Sequence, residues 1–441
     1  MAAAYDVVVV GAGIGGLTVG ALLSARGMNV CVLERQSQVG GCIARVEFAE
    51  HEFEPGMGIY TSFGKSEVFE GIFDQLPVDV PLTSLAPRPY VVRLADGTDV
   101  RLLTGEEFFD ELRKQFPECA DRAIEFYRNP ALEKLATISP RFQSFIDTQL
   151  RGFLHASIDQ CSSVAAATAL ARVRGPLYEI HGGPATLPER LAESIKRSGG
   201  TVRLNTPVLR LAYDSSGAVA GVDLLNGEQV FAKKAIVSNL TIWDTYGKLV
   251  TLNRTPPEIK KLLNTLHGSG AYVVYTTIEA SAIARLPSQR LLVAAPLSDD
   301  ESFTEFTLAT HGNTATLKSA TDVNDWFTYH ASEEDFEDSH QSALESFWTK
   351  LHAALPELGS DIEIIETANP RTFYENTRRK LGMGLGLQSD EIQASATRST
   401  ISLTTSVPNL FMVGDTVTTS PDLASVSESA LSLANQLHKK L

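Results

Sequence analysis

The chain opens on an unbroken β-branched run, Val7, Val8, Val9 and Val10, that ends in a cluster of glycines at 11, 13, 15 and 16. A run of this kind reads as a strand buried on both faces of a parallel sheet. Leu17, Ala21 and Ala25 then recur one turn apart, which predicts a helix up to Arg26 that Gly27 ends. A second short apolar run covers 30–33. Together these make a βαβ start. Helices are expected over 106–114, 142–154, 188–197 and 340–354, and from about 425 to 437. In 142–154 the residues Phe142, Phe145, Ile146, Leu150, Phe153 and Leu154 share one face, a stripe that points to the core rather than to a lid or a membrane. Strands are expected at 202–204, 208–213, 219–225 and 230–232, with Asn226-Gly227 as a hairpin turn, and a block at 235–239 closes this region. Further strands are expected at 272–278, 291–297 and 409–413. The acidic clusters at 299–305 and 333–338 read as solvated loops or helix starts.

Composition narrows the class. The 441 residues are 43% hydrophobic, enough for one large or two ordinary domains with a packed core. Lys plus Arg number 38 against 53 Asp plus Glu, a net charge of −15. That balance excludes a nucleic-acid-binding role, which needs a basic face, and argues against adhesion to anionic lipid. Cys31, Cys42, Cys119 and Cys161 form no C-x-x-C pair, and the histidines, His51 and His181 among them, lack the spacing of a metal site. No basic leader precedes the first strand, and no apolar run approaches the ~20 residues of a membrane span. The expected location is cytoplasmic, with at most peripheral membrane contact.

Gly11, Gly13 and Gly16 form G-x-G-x-x-G between a strand and a helix. The first glycine permits the tight turn, the second lets a pyrophosphate approach the backbone, and the third allows close packing of helix on strand. Ile14 and Gly15 complete the loop, whose amides face phosphate charge at the helix N-terminus. Glu34 ends the second strand 18 residues after Gly16, where an acid accepts hydrogen bonds from ribose hydroxyls. These residues alone leave NAD and FAD both open.

Glu34-Arg35 is followed by Gly40-Gly41, and the tail reads Asn409-Leu-Phe-Met-Val-Gly414-Asp415. This pattern resembles the FAD-binding fold shared by amine oxidases and phytoene desaturases. More narrowly, Val39-Gly-Gly-Cys-Ile-Ala-Arg45 with Glu52-Phe-Glu-Pro-Gly-Met-Gly58, Ile180-His-Gly-Gly183, Gly199-Gly-Thr-Val202 and Pro370-Arg-Thr-Phe373 leading to Gly382-Met-Gly-Leu-Gly386 resemble the carotenoid desaturase, carotenoid isomerase and retinol saturase group. The resemblance implies an α/β protein: a discontinuous Rossmann-like FAD-binding domain at 1–75, 176–245 and 366–441, with an inserted α+β substrate domain at 76–175 and 246–365. It implies that Gly40, Gly41 and Cys42 pass near the cofactor, and that the backbone of Val208 holds the adenine. It implies that Gly414 and Asp415 meet the ribityl–pyrophosphate region, while Ala424, Ser425 and Val426 open a helix aimed at the flavin carbonyl. Cys42 reads first as a small buried thiol and second as a flavin neighbour. Arg371, Arg378 and Arg379 read first as partners of nearby acids such as Glu375.

The activity implied is hydride transfer at carbon–carbon bonds of an apolar isoprenoid or polyene: desaturation, saturation or flavin-assisted isomerisation. A separate electron donor or acceptor comes with it, and no catalytic side chain is assigned. The tail departs from the family by reading Thr416-Val-Thr-Thr-Ser-Pro-Asp422 where many desaturases carry Pro-Gly-x-Gly. The rival expectations are a flavin amine oxidase, which would set an aromatic pair before the flavin, and a non-enzymatic prenyl-lipid carrier, which would have lost the glycine loop.

Overall fold

The computed structural model describes residues 4–56, 60–85, 90–130, 132–296, 302–327, 333–383, 403–418, 420 and 422–440. Strand β1 (Ala4–Val10), helix α1 (Ile14–Ala25) and strand β2 (Val30–Leu33) form the βαβ start. β1 lies at the centre of a seven-stranded sheet, parallel to β2 in a register that sets Val9 beside Val32, and parallel to Gln229–Ser238, setting Val9 beside Val237. Thr201–Arg203 extends the sheet beyond β2, and Leu410–Met412 pairs in parallel with Gln229–Ser238. Val208–Tyr213 and Val219–Leu224 add an antiparallel edge. Turn chemistry fixes this last part: Gly227 takes φ 86°, and the Asn226 side chain accepts from the Glu228 amide.

Both faces of this sheet are covered, which is why its strands are apolar without alternation. On one face α1, Thr186–Arg197 and Leu423–Lys440 bring in Leu17, Leu191, Ile195, Leu433 and Leu437. On the other, Val8, Val10, Cys31 and Ile236 pack under Tyr246, Leu249 and Val250. Those three residues correct the expected division of the chain: 246–266, assigned to the substrate domain, packs on the nucleotide-binding sheet. Leu76 and Val78 likewise join the first core, outside the segment that ends at 75. Their apolar character was visible, but which core they face is a tertiary matter.

A second seven-stranded sheet runs in the order Ile362–Ala368, Ser269–Ile278, Thr314–Asp322, Glu305–His311, Arg290–Ala294, Val91–Arg93, Asp99–Arg101. Its first strand crosses the boundary drawn at 365/366, because Val273 and Val274 hold Ala368 and Thr367 in register. One face is packed by the helix Glu333–Ala354 through Phe347 and Leu351. On the other face the helix Pro140–Leu154 lies across Leu292, and Gly152 is the residue whose lack of a side chain lets it do so. The Phe142 stripe is thus core: Phe142, Phe145, Ile146 and Leu150 are fully buried. Glu305, expected in a solvated acidic stretch, is 3% exposed, with Oε1 accepting from the Ala320 amide at 3.0 Å.

Candidate functional site

The C-terminal ends of the parallel strands gather the glycine loop. Gly11 takes φ 97°, and its amide donates to the Leu33 carbonyl at 2.8 Å, so β1 turns directly against β2. Gly13 is the N-cap of α1, and no side chain caps that helix. The amides of its first turn therefore present their partial positive charge to the space in front. A methyl group on Gly16 would overlap the Gly11 carbonyl oxygen, and one on Gly15 would stand 2.7 Å from Asn239 Oδ1. The Glu34 carboxylate ties the loop down: Oε2 accepts from the Ala12 amide at 2.7 Å and Oε1 from the Gln36 amide at 2.8 Å. Arg35 is exposed and donates to the Asn376 carbonyl at 3.2 Å.

Gly40 lies beside Gly13, donating its amide to the Ala12 carbonyl at 2.9 Å with φ 114°. Gly41, at φ 60°, brings its Cβ position to 3.5 Å from the Gly13 Cα. The two glycine turns thus form one backbone-lined cradle. Cys42 follows directly. It is solvent-accessible, against the expectation of a buried thiol. The protein enclosing the space before it still pushes the thiol pKa up, with Arg379 and Lys318 acting in the opposite direction.

Gly414 takes φ 127° at the end of its strand, and its Cβ position stands 3.3 Å from Asn239 Oδ1. Asp415 receives Arg379 Nη2 at 2.7 Å. Burial works against the Arg379 charge, but Asp415 and Cys42 outweigh it and hold the guanidinium above its ordinary range. Arg371 pairs with Glu375 at 3.4 Å and Arg378 lies over the Tyr374 ring, so the expected acid pairing holds for Arg371 and, through Asp415, for Arg379. Ala424, Ser425 and Val426 open the last helix beside the loop, with a methyl on Gly15 set 3.2 Å from Val426 Cγ1. Ser425 Oγ receives Arg172 Nη1 at 2.7 Å. Val208 lies farther along the rim: the Thr206 amide donates to the Glu34 carbonyl, and Val208 pairs with Leu224. Met57, Gly58 and the glycines at 384 and 386 lie outside the described residues.

Asn239, Lys318 and His155 carry no sequence assignment to the site. Asn239 ends Gln229–Ser238 at the same sheet edge as Gly11 and Glu34, the edge where open α/β sheets bind ligands. That position was the available signal. Lys318 lies on the second sheet, with its Nζ 2.7 Å from His155 Nε2. Among the described residues no group of three or more His, Cys, Asp or Glu could hold a metal ion. No described helix is long and apolar enough to cross a membrane.

A polar cleft of about 210 Å³ is lined by Glu52, Glu54, Thr83, Glu179, His181 and His311, none of them in the glycine cradle. Burial pushes the Glu54 carboxyl up to about 7, although Tyr60 donates to its Oε1 at 2.9 Å. A carboxyl raised from 4.5 binds its proton more tightly in the folded state. Its contribution is therefore complete below the unfolded value and is lost as pH rises through about 7. We expect Glu54→Gln to flatten that part of the stability–pH curve in urea titrations. Equal slopes for the two proteins would contradict the assignment.

The fold and the glycine cradle define a Rossmann-like α/β protein with a site for a flavin or nucleotide cofactor. The NAD(P)-binding Rossmann-like domain model matches residues 9–76. A prolycopene isomerase of Daucus carota is 23% identical, covering 98% of this chain and 80% of its own. An all-trans-retinol 13,14-reductase of Macaca fascicularis is also 23% identical, over 94% of this chain and 82% of its own. Against a prolycopene isomerase of Arabidopsis thaliana the identity is 27%, but the chain spans half of that protein's length. An oxidoreductase of Methanosarcina mazei shares the fold with a TM-score of 0.71 at 17% identity, covering 97% of this chain and 99% of its own. A variant putrescine oxidase shares it at 0.67 and 15%, each chain fully covered. The chain is thus a distant relative of the carotenoid isomerases and retinol reductases, as its motifs indicated.

Proposed function

We propose that the protein is an FAD-dependent oxidoreductase acting on carbon–carbon bonds of an apolar, isoprenoid or polyene-type molecule. The observation that carries this is the paired glycine cradle, in which Gly13 and Gly41 meet backbone to backbone before an uncapped helix end. A pyrophosphate fits there, because α1 offers unbonded amides and the glycines leave room for its oxygens. Glu34 has remaining lone pairs for a ribose, and in this reading Arg379–Asp415 and the start of Leu423–Lys440 border the rest of the cofactor. When bound, the flavin supplies a two-electron hydride acceptor or donor.

The chain's own part is to orient, enclose and exchange protons. The second sheet turns Val273 and Tyr275 toward Phe48 and Phe53 of the hairpin after the cradle, with Tyr275 5.1 Å from each ring. Together they form a packed apolar cluster, which in this reading borders the hydrocarbon. Its partners in this reading are an apolar small molecule and a separate electron carrier, in a cytoplasmic or peripherally membrane-bound setting.

The test is the visible absorption spectrum of the purified protein, followed by heat release and identification of the chromophore. Paired flavin bands and released FAD are expected, and a screen of polyenes and retinoids for flavin reduction or reoxidation would follow. A colourless protein that does not take up added FAD overturns the proposal.

A further inference from the structure

Lys318 sits on the strand Thr314–Asp322, opposite Val273 on one side and Thr307 on the other. Its neighbour Leu317 is buried in the core of the second sheet on the opposite face. Lys318 therefore shares the face of Val273 and Tyr275, which looks toward Phe48 and Phe53. At this face an ammonium is out of place unless something uses it. Its nearest partner is His155, the left-handed residue (φ 55°) that ends the helix Pro140–Leu154 and is 4% exposed. Burial holds His155 well below its ordinary value, and the Lys318 charge adds to this, so the imidazole is neutral. A neutral ring nitrogen at 2.7 Å fixes where the lysine nitrogen sits without neutralising it.

The other groups that face Lys318 are Cys42, on the turn that follows the glycine cradle, and Glu305, on the adjoining strand. Beyond them stand Arg379 and Asp415 on the cofactor side, and Arg151 and Asp147 on the outer side. Arg151 reaches Glu305 at 3.8 Å and Asp147 at 2.6 Å, so Glu305 is shared with another cation. Burial brings the Lys318 amine down to about 8, with Cys42 and Glu305 resisting the fall. Both of its protonation states are therefore within reach at neutral pH.

We infer that Lys318, held in place by His155, is the proton-exchanging group of this site, an inference that rests on the function proposed above. Removing two hydrogens from a CH–CH unit sends one, with its bonding electrons, to the oxidised flavin as hydride. The other leaves as a proton to the Lys318 amine, and the electron pair of its C–H bond becomes the new C=C. In the saturating direction the Lys318 ammonium would return that proton to carbon, the hydride being supplied by a bound reduced flavin.

Two readouts besides turnover test this. The first is the midpoint potential of the bound flavin, measured by dithionite titration over the pH range that spans the Lys318 ionisation. Wild type should show a break in slope as the ammonium beside the reduced cofactor is lost, and Lys318→Met should show none and a lower potential on the acid side. The second is iodoacetamide alkylation of Cys42 in flavin-free protein, followed by mass spectrometry. Loss of the nearby cation should slow it severalfold at neutral pH in Lys318→Met but not in Lys318→Arg. Lys318→Gln, which keeps a donor for His155, replaces the methionine variant if that one does not fold. Superimposable potential and alkylation profiles overturn the inference. A protein that takes up no flavin overturns the function while alkylation still judges the placement of Lys318, and an unchanged alkylation profile then overturns that as well.

Discussion

Gly16→Ala is expected to lose cofactor affinity by about 100-fold, because a displacement near 1 Å in a positioning element carries a cost of that order. The added methyl meets the Gly11 carbonyl oxygen, Asn239 Cβ at 3.0 Å and Val9 Cγ1 at 3.1 Å. The first is backbone in the turn itself, the second is packed under the loop, and the third lies in the central strand. None can swing aside as a flexible side chain would. The helix must lift from β1, at a cost of about 1–3 kcal/mol in stability, and the amides of its first turn lose their aim. Gly71→Ala is the control: it sits in the short helix Val68–Phe73, exposed, with nothing within 4 Å of the added carbon. That variant should bind cofactor like wild type and gain up to about 0.5–1 kcal/mol. Titration of each protein with FAD, read by quenching of flavin fluorescence, decides the matter. Wild-type affinity in Gly16→Ala would show that the loop is not the binding element.

Arg379→Met should destabilise the protein by about 3 kcal/mol, the scale for stripping one partner from a buried ion pair. Arg379 also donates through Nε to the Met383 carbonyl at 3.0 Å, so it fastens the stretch after Pro370–Thr377 to the end of the first sheet. Left alone, Asp415 keeps a carboxylate beside the cradle with no counter-charge, which also repels a pyrophosphate. The double variant Arg379→Met/Asp415→Asn removes both charges and should recover most of the stability. Urea unfolding of the two single variants and the double variant gives the coupling. Additive losses would mean that the 2.7 Å contact contributes little.

Much of the cradle was legible because its chemistry needs residue types that are rare in that order. The β-branched run, the glycines at 11, 13 and 16, Glu34 and the second glycine pair each answer a local demand on backbone or charge. The second half of the site was not legible in this way. In Thr314–Asp322 the residues Thr314, Thr316 and Lys318 alternate with Ala315 and Leu317, the pattern of a strand with one face in water. That polar face is instead turned toward the strand His51–Phe53, and Thr314 donates to the Glu52 carbonyl at 3.1 Å. Local sequence cannot report a cover that comes from more than 250 residues away. His155 reads as a helix terminator and Asn239 as the end of a strand; both descriptions are correct and neither contains the neighbour that gives the residue its use. The same gap misplaced 246–266, whose apolar residues serve the first sheet rather than the second.

The pairing of β1 has a consequence for how the chain comes into being. Its seven residues lie between β2, which follows closely, and Gln229–Ser238, which follows more than two hundred residues later. At ribosomal speed the gap amounts to roughly ten to fifty seconds. During that interval a short strand that ends in four consecutive valines has one open edge, and an edge of that kind invites pairing with any other chain. Leu410–Met412 arrives later still, after every strand of the second sheet. The cradle is thus complete only once Leu410–Met412 has been made, and until Gln229–Ser238 pairs with it the strand that will lie at the centre of the sheet keeps an unpaired edge.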